Sequence, residues 1–367
     1  AGYEPATDRP PAFQPKDLFM TTVYARASGR VSLAGGGTDV PAYYERHGGA
    51  VVSSAIGISA SAHVGPCATG LELVSLDHGT RELIPADRVA RRVRYPFLAE
   101  EFLTLQKAVA WHFALDRARL AATTELPAGG GLGASAAICV ALVAASAAYL
   151  GEPLDRNGIA EIAARIEMTV LRRPCGKQDQ YTAAHGGLNL LEFARDGAVA
   201  VTPIRITQQT RHDLAQNLML FSNGGRRNSA WPLAELARRI SADHVETLMA
   251  LGELKEIAYE VKTALELGDM ELLGGLLDRG WKAKRRLHSQ VSTPEIDRVL
   301  LLAKHAGAYG GKLAGAGLAG SLLIACPPAH RDDVRTVLAT QGWRARGIEV
   351  DDSGVTLGEP AGGALSG

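Results

Sequence analysis

A run of glycines at residues 127–137 is the stretch of this sequence best suited to bind an anion. It reads PAGGGLGASAA, and consecutive glycines mark backbone that needs unusual dihedral angles or lies against another group. The alanine-rich run that follows predicts a buried helix that continues to about Leu150 and stops at Gly151. Free N–H groups and the positive end of the helix dipole make such a helix start an anion site. Ser135 would lie in the first turn, where its hydroxyl could reach a phosphate or a metal ion.

A Walker P-loop, a dinucleotide-binding loop and tight helix packing are alternative origins of these glycines. A Walker P-loop requires a Lys-Ser or Lys-Thr pair, and this stretch has none. Residues 131–136 fit the dinucleotide pattern Gly-x-Gly-x-x-Ala, but the helix is followed by a second helical stretch instead of a strand. Close packing of a helix N-terminus would explain one or two glycines but hardly four. The dinucleotide and packing hypotheses remain alternatives at this point.

Three glycine-bearing segments, at residues 30–39, 127–137 and 312–321, occur in this order along the chain. Together they resemble the GHMP kinase superfamily, named for galacto-, homoserine, mevalonate and phosphomevalonate kinases. The middle segment is similar to that family's Pro-x3-Gly-Leu-Gly-Ser-Ser-Ala-Ala, with Ala134 in place of the first serine. The resemblance spans about residues 22–345. It implies two lobes, a sugar site in the cleft between them, and the use of ATP with Mg²⁺.

Within the superfamily, four stretches resemble bacterial D-glycero-D-manno-heptose 7-phosphate kinases, which phosphorylate the anomeric oxygen. The four stretches are RVSLAGGGTD at 30–39 with Tyr43, Tyr44 and 47–49; GKQDQY at 176–181 with GGLN at 186–189; Arg226 with Ser229; and residues 291–297. The resemblance therefore implies a heptose 7-phosphate as substrate, in nucleotide-heptose biosynthesis.

The resemblance assigns the nucleotide and the metal to two places. The glycine loop would wrap the triphosphate with backbone N–H groups, and Ser135 and Glu167 would hold Mg²⁺, a hard ion that takes few protein oxygens. By position alone, Glu167 could equally be a solvated carboxylate on a helix surface. The expected ATP-binding residues are Pro127, Gly129, Gly130, Gly131, Leu132, Gly133, Ala134, Ser135 and Ala136.

The resemblance also implies a reacting pair, Asp179 and Arg30. Asp179 is the candidate base that receives the proton of the attacking hydroxyl, while positioning and charge neutralisation would supply most of the rate. Arg30 could stabilise developing negative charge and hold Asp179 ionised. The alternative for Arg30 is an ordinary salt bridge at the level of the domain.

Sugar binding is expected around Asp39, which lies nine residues after Arg30, the spacing at which galactokinase-like members bind sugar hydroxyls. A carboxylate can accept bonds from adjacent hydroxyls, although an Asx-turn after Gly37-Thr38 would also explain it. Lys177 and Arg226 are candidates for the substrate's own phosphate, because cationic side chains suit a dianion. The other expected substrate-binding residues are Gly36, Gly37, Thr38, Tyr43, Gln178, Tyr181, Gly315 and Gly317.

The third glycine segment departs from the family pattern, because Leu318 and Ala319 interrupt its glycine run. Leu318 adds bulk where backbone normally approaches nucleotide or sugar. Two alternatives therefore stay open: a galactokinase- or fucokinase-like 1-kinase acting on an unphosphorylated sugar, and a non-catalytic ligand sensor of the same fold. A sensor would be expected to lose Asp179 or Ser135, and both are present.

Composition excludes several classes of protein. The 367 residues carry no formal net charge and are 46% hydrophobic, which suits a globular protein and gives no support for nucleic-acid or membrane-surface binding. No apolar run approaches the roughly 18 residues of a membrane helix, and the Pro-rich, polar N-terminus lacks the features of a signal peptide. Four widely spaced cysteines without a Cys-x-x-Cys predict free thiols in the cytoplasm. The sequence leaves open whether the protein forms a homodimer.

The elements that must position these residues indicate an α+β fold, because strands and helices do not alternate as regular βαβ units. We expect a flexible arm at 1–20, an ATP-binding N-terminal domain at 21–205, a C-terminal domain at 206–350 and a flexible tail at 351–367. The second half is predicted to be rich in helices, at 230–266, 269–287 and from Pro294, with Thr293 as the N-cap.

Overall fold

The computed structural model describes residues 21–92, 103–224, 230–318 and 320–358, which form two β-sheets with helices packed against them. The expected N-terminal arm and Arg226 lie outside these residues, as does Ala319. None of the helices in the described ranges is long and apolar enough to span a membrane. All four cysteines are in described parts of the chain and are free thiols, as their spacing predicts.

The larger sheet has eight strands within the described residues. They are β1 (Val23–Ala34), β2 (Gly49–Pro66), β3 (Gly70–Ser75), β4 (Thr80–Pro85), β5 (Ala118–Thr124), β6 (Leu188–Phe193), β7 (Val199–Pro203) and β12 (Thr356–Gly358). The long strand β2 organises the sheet, because β1 runs along one edge while β6 and β5 pair with its first and second halves. Only β3 and β5 pair in parallel, so the antiparallel α+β prediction is confirmed.

The smaller sheet comes from the second half of the chain. Its described strands are β8 (Leu218–Ser222), β9 (Gly310–Leu313), β10 (Leu322–Ala325) and β11 (Arg344–Arg346). They are antiparallel in the order β11-β8-β10-β9. The predicted domain boundary after residue 205 lies between the last strand of the first half, β7, and the helix that precedes β8.

Helices cover both sheets, and the helix expected after the glycine run is the most deeply buried. The described helices are α1 (Pro41–His47), α2 (Ala86–Arg92), α3 (Thr104–His112), α4 (Ala134–Tyr149), α5 (Arg156–Arg165), α6 (Gln178–His185), α7 (Gln208–Asn217), α8 (Ala230–Ser241), α9 (Val245–Leu267), α10 (Met270–Arg285), α11 (Pro294–His305) and α12 (Arg331–Thr340). In α4, 12 of 16 residues are buried, because alanines let it pack closely on β1 and β2. Thr293 caps α11 by accepting a hydrogen bond from the Ile296 N–H, as predicted.

Two expectations for the second half are wrong. The single helix predicted over 230–266 is two helices, because Asp243 has φ 52° and the His244 side chain accepts the Thr247 N–H to start α9. The tail is ordered from 351 to 358, where β12 pairs with β1. Asp351 also forms an ion pair with Arg26 at 2.9 Å, so backbone pairing and charge fix a segment whose composition indicates disorder.

Candidate active site

A small cleft of about 80 Å³ lies where β1 meets the smaller sheet and α10. Its volume is below the ~300–1,000 Å³ usual for ligand sites. The residues named by the sequence that line it are Arg30, Gly36, Gly37, Asp39, Gln178, Asp179 and Gly315. Arg30 and Gly315, which are nearly 290 residues apart in the chain, thus line the same cleft.

Arg30 and Asp179 face each other in this cleft as a bidentate ion pair. Arg30 Nε donates to Asp179 Oδ1 at 2.7 Å, and Arg30 Nη2 donates to Asp179 Oδ2 at 2.6 Å. The Arg30 side chain is buried on β1, whereas Asp179, in the first turn of α6, is about a quarter exposed. A carboxylate oriented by a fixed guanidinium and still open to the cleft is suited to accept a proton from a bound hydroxyl.

The glycine loop is held against this pair. Leu132 O accepts the Arg30 N–H at 2.9 Å, and Gly131 O accepts Arg30 Nη1. Gly131 and Gly133 have φ of 71° and 76°, and a Cβ on Gly131 would lie 2.5 Å from Ala314 O. Glycine is therefore required both by backbone dihedral angles and by close packing, so the packing hypothesis accounts for part of this run. The loop opens the N-terminus of α4 as expected.

Ser135 and Glu167 lie together beside the loop. Ser135 Oγ donates to Glu167 Oε1 at 2.5 Å, and Arg173 Nη1 donates to the same carboxylate oxygen at 2.8 Å. Gln180 Nε2 donates to Glu167 Oε2 at 2.6 Å. Glu167 is buried, so the alternative of a solvated surface carboxylate is wrong. It lies in a π-helical turn, Ile166–Val170, that directly follows α5, and such turns are frequent at functional sites.

These two oxygens suit the metal that the sequence implies. Mg²⁺ is usually bound by one or two protein oxygens together with substrate phosphates and water, and Ser135 and Glu167 supply such a pair at the end of the glycine loop. Within the described residues, no cluster of three or more His, Cys, Asp or Glu side chains could hold a metal by itself. Arg173 provides the positive charge beside Glu167 in this structure.

Asp39 is buried in the same cleft, and within the described residues its carboxylate accepts hydrogen bonds only from neutral donors. Its Oδ1 accepts the Gly37 N–H at 2.9 Å and Gln178 Nε2 at 3.1 Å, and its Oδ2 accepts the Gln178 N–H at 3.3 Å. Burial raises its pKa, the charge of Asp179 adds to that rise, and the backbone bonds oppose it. A Cβ on Gly176 would lie 1.9 Å from Asp39 Oδ2, so glycine is needed there. Asp39 thus lines the cleft and holds the turn at Gly37, but it forms no Asx-turn, because the donor would be the N–H of residue 41, a proline.

Two polar atoms in the cleft are buried without a hydrogen-bond partner among the described residues, Gln178 Oε1 and Ser32 Oγ. Buried polar atoms cost free energy unless they are paired. Gln178 Nε2 is held by Asp39, which leaves Oε1 to accept from a ligand hydroxyl. Ser32 was missed at the sequence level, although it shares the face of β1 that carries Arg30.

Comparisons with known proteins agree with this geometry. The GHMP kinases N terminal domain profile matches residues 99–187 and the GHMP kinases C terminal profile matches residues 261–343. The chain is 31% identical over 237 residues to a mevalonate kinase from Methanothermobacter thermautotrophicus, covering 63% of this chain and 71% of that protein. This protein belongs to the GHMP kinase family. It is therefore an ATP-dependent kinase.

Heptose kinases are among its relatives. The kinase is 28% identical over 335 residues to the D-glycero-alpha-D-manno-heptose 7-phosphate kinase of Campylobacter jejuni, covering 88% of this chain and 95% of the relative. A crystal structure of a D-glycero-D-manno-heptose 1-phosphate kinase from Bacteroides thetaiotaomicron superposes with a TM-score of 0.73 at 23% identity, covering 93% and 100% of the two chains. The structural likeness shows a shared fold.

Several residues expected to bind substrate do not reach the cleft of the kinase. Lys177 Nζ donates to Glu161 Oε1 at 2.9 Å and to Gly197 O at 2.8 Å, and the Tyr181 hydroxyl donates to the same glutamate. These three side chains form a separate cluster where α5 meets α6, and none of them lines the cleft. In this structure Lys177 is paired with Glu161 and does not line the cleft, and its contact with a substrate phosphate stays a prediction.

Thr38, Tyr43 and Gly317 also have structural roles. The fully buried Thr38 hydroxyl oxygen lies 2.8 Å from Gly35 O and 2.9 Å from Ala50 O, and its single proton is donated between these two carbonyls. Tyr43 is buried in α1 against His47. Gly317 packs on Val291, where a Cβ would lie 2.8 Å from the carbonyl oxygen. These positions shape the cleft walls, and the sequence motif alone does not separate them from residues that line it.

Leu318 adopts φ 65°, in the left-handed region, and its N–H donates to Val291 O at 3.0 Å. Side chains other than glycine and asparagine are strained there by about 1–2 kcal/mol. The residue that interrupts the glycine run thus keeps the backbone conformation a glycine would adopt. It does not line the cleft.

Sequence reasoning missed two buried lysines of the cleft, Lys284 and Lys312. Lys312 Nζ donates to the carbonyls of Ser32 and Leu33 at 2.9 and 3.1 Å, which ties β9 to β1. Lys284 extends the apolar stripe of Leu277 and Trp281 along α10. A lysine at a core position of an amphipathic helix is the signal that could have identified it.

A larger cavity of about 510 Å³ lies on the other face of β1, where Val31 and Leu33 point. It is mostly apolar, with α7 and residues 348–350 along its side. None of the residues expected to do chemistry lines it, so cavity size does not locate the active site in this kinase.

Proposed function

We propose that this kinase transfers the terminal phosphoryl group of ATP to the anomeric (C1) hydroxyl of a heptose 7-phosphate, D-glycero-D-manno-heptose 7-phosphate, in nucleotide-heptose biosynthesis. The observation that carries the reaction type is the bidentate Arg30–Asp179 pair beside the glycine loop. The unpartnered Gln178 Oε1 and Ser32 Oγ support a substrate rich in hydroxyls. The 28% identity to a heptose 7-phosphate kinase supports the choice of sugar.

In this mechanism Asp179 accepts the proton of the anomeric hydroxyl as that oxygen attacks the terminal phosphorus, and ADP leaves. Arg30 orients the carboxylate and places positive charge beside the reacting oxygen. Backbone N–H groups of residues 129–135 would bind the triphosphate at the start of α4. Mg²⁺ held by Ser135 and Glu167 would neutralise phosphate charge when bound.

A 1-kinase acting on an unphosphorylated sugar is the second candidate, and one observation favours it. Lys177, which was expected to meet the substrate's own phosphate, is held by Glu161 and Gly197 outside the cleft. The cleft therefore lacks this cation for a distal phosphate. Galactose- or fucose-type substrates would need only the hydroxyl-binding groups near Asp39.

An ATP-consumption assay over hexoses, heptoses and their phosphates separates these candidates. Heptose 7-phosphate should give the highest kcat/KM, and phosphorus NMR should show a new anomeric phosphate. A higher kcat/KM for an unphosphorylated sugar would show that this sugar, and not heptose 7-phosphate, is the substrate. A phosphate on any carbon other than C1 would overturn the assigned position.

The metal assignment has its own test. Glu167→Gln should raise the Mg²⁺ concentration for half-maximal nucleotide binding by about 10-fold or more, as expected when a ligand group is lost. Glu161→Gln is a matched control, because this carboxylate pairs with Lys177 away from the cleft. Equal Mg²⁺ dependence in both variants would show that Glu167 is not a ligand.

A further inference from the structure

Lys284 lies in the cleft, and its ammonium group has more N–H donors than acceptors within the described residues. It is 8% exposed, and its Nζ donates to Gly315 O. Within the described ranges, that carbonyl is its only acceptor at hydrogen-bond distance. An ammonium group carries three N–H donors, so two of them remain for a ligand.

Lys284 lines the same cleft as the reacting pair and lies close to the glycine loop. Its acceptor Gly315 packs against the loop, where a Cβ on Gly315 would lie 2.8 Å from Gly131 Cα. Its charge also interacts with Arg30 and Asp179 across the cleft. Lys284 is therefore near both ends of a phosphoryl transfer from the loop to a hydroxyl at Asp179.

Among the described residues, the other lysine and arginine side chains that line the cleft already donate hydrogen bonds to protein acceptors. Arg30 uses Nε, Nη1 and Nη2 on Asp179 and Gly131, and Lys312 bridges two carbonyls of β1. Within the described residues Lys284 forms no ion pair with a carboxylate, although the charges of Asp39 and Asp179 across the cleft partly favour its protonated form. Burying a charge without an anionic partner is costly, which is expected where an incoming anion completes the site.

We propose that Lys284 is a further catalytic residue of this kinase, whose ammonium group contacts the phosphoryl group in transfer. This inference rests on the proposed phosphoryl-transfer mechanism but not on the identity of the sugar. The ammonium group would stabilise the charge on the equatorial oxygens while Asp179 takes the proton and ADP leaves. The cation thus approaches from α10, opposite the backbone N–H groups of the loop.

Lys284→Met tests the proposal, because methionine keeps much of the length and removes the charge. We expect kcat to fall about 10²–10³-fold, the usual cost of losing one such donor, with partial recovery in Lys284→Arg. Lys282→Met is the control, because it removes an exposed lysine of the same helix that pairs with Asp278 at 2.9 Å outside the cleft, and it should keep kcat. A Lys284→Met enzyme with wild-type kcat would overturn the proposal.

Nucleotide binding without sugar provides a second measurement, independent of which sugar is phosphorylated. In Mg²⁺, calorimetry should show that Lys284→Met weakens a non-hydrolysable ATP analogue about 10-fold or more, the value of a charge-assisted contact, while ADP affinity stays unchanged. Equal losses for both nucleotides would indicate a structural role and contradict the proposal. Failure of every sugar to react, with this difference intact, would contradict only the proposed substrate.

The pH dependence of kcat/KM also tests the proposal, because a purely structural role of Lys284 would leave it unchanged. Burial and the charge of Arg30 lower the pKa of Lys284 to about 8, which Asp39 and Asp179 partly oppose. Wild-type kcat/KM should therefore fall as pH rises through about 8, and this alkaline limb should be lost in Lys284→Arg. An identical limb in both enzymes would assign it to another group. The charged and titratable groups facing Lys284 are Arg30, Asp39, Asp179, His288 and Lys312.

Discussion

Asp179 and Asp39 line the same cleft, yet a guanidinium holds the first and neutral donors hold the second. Asp179 has both oxygens on Arg30 and is partly open to solvent. Asp39 is buried on Gly37 and Gln178, and burial raises its pKa. Environments that separate two carboxylates in this way usually give them different roles. A proton acceptor at Asp179 and a sugar-binding group at Asp39 fit that difference.

Removing the base should have the largest effect. Asp179→Asn keeps the shape of the side chain but cannot accept the proton, so kcat should fall about 10²–10⁴-fold, the usual contribution of a general base. ATP affinity should change little, which calorimetry can check. If the variant kept a near wild-type kcat, Asp179 would not be the base, and positioning alone would account for catalysis. Asp179 and Asp39 would then not differ in chemical role.

Asp39→Ala should act on sugar binding instead of on the chemical step. We expect the KM for sugar to rise by about 10–100-fold, because a site built for hydroxyls leaves polar groups unpaired when one partner is lost. The KM for ATP should stay within a few-fold of wild type. Equal increases in both KM values would indicate that Asp39 only stabilises the turn at Gly37.

The raised pKa of Asp39 gives the comparison a thermodynamic test. Because the folded protein holds the Asp39 proton more tightly than the unfolded chain, this group contributes stability below its ordinary pKa of 3.8. That contribution is lost as pH rises through the folded-state pKa. The difference in Tm between Asp39→Asn and wild type should therefore shift in favour of the variant as pH increases. A difference independent of pH would show that Asp39 titrates normally.

Lys177→Met should have the smallest effect, as expected of a residue outside the cleft. Its ammonium group is paired with Glu161 outside the cleft, so kcat/KM for phosphorylated and unphosphorylated sugars should both stay within about 3-fold of wild type, as for a partly exposed ion pair. A selective loss with the phosphorylated sugar would instead support the sequence-based prediction that Lys177 binds the substrate phosphate.

Local sequence patterns determined much of this kinase. Alanine-rich periodicity and the glycine run predicted α4 and its loop because helix starts and backbone dihedral preferences are set by neighbouring residues. The spacing of Arg30, Asp39 and Asp179 within known motifs predicted residues that the structure brings to one cleft. Thr293 and Pro294 predicted the start of α11 for the same local reason.

The tertiary structure alone decided which polar residues face the cleft. Gln178 and Lys177 are neighbours in the chain, yet one meets Asp39 and the other meets Glu161, because the turn into α6 sends successive side chains to opposite sides. Lys284 enters the site only because α10 packs beneath the third glycine segment, a contact between distant parts of the chain. A linear motif specifies local conformation, whereas the partner of a charged group depends on packing across the whole fold.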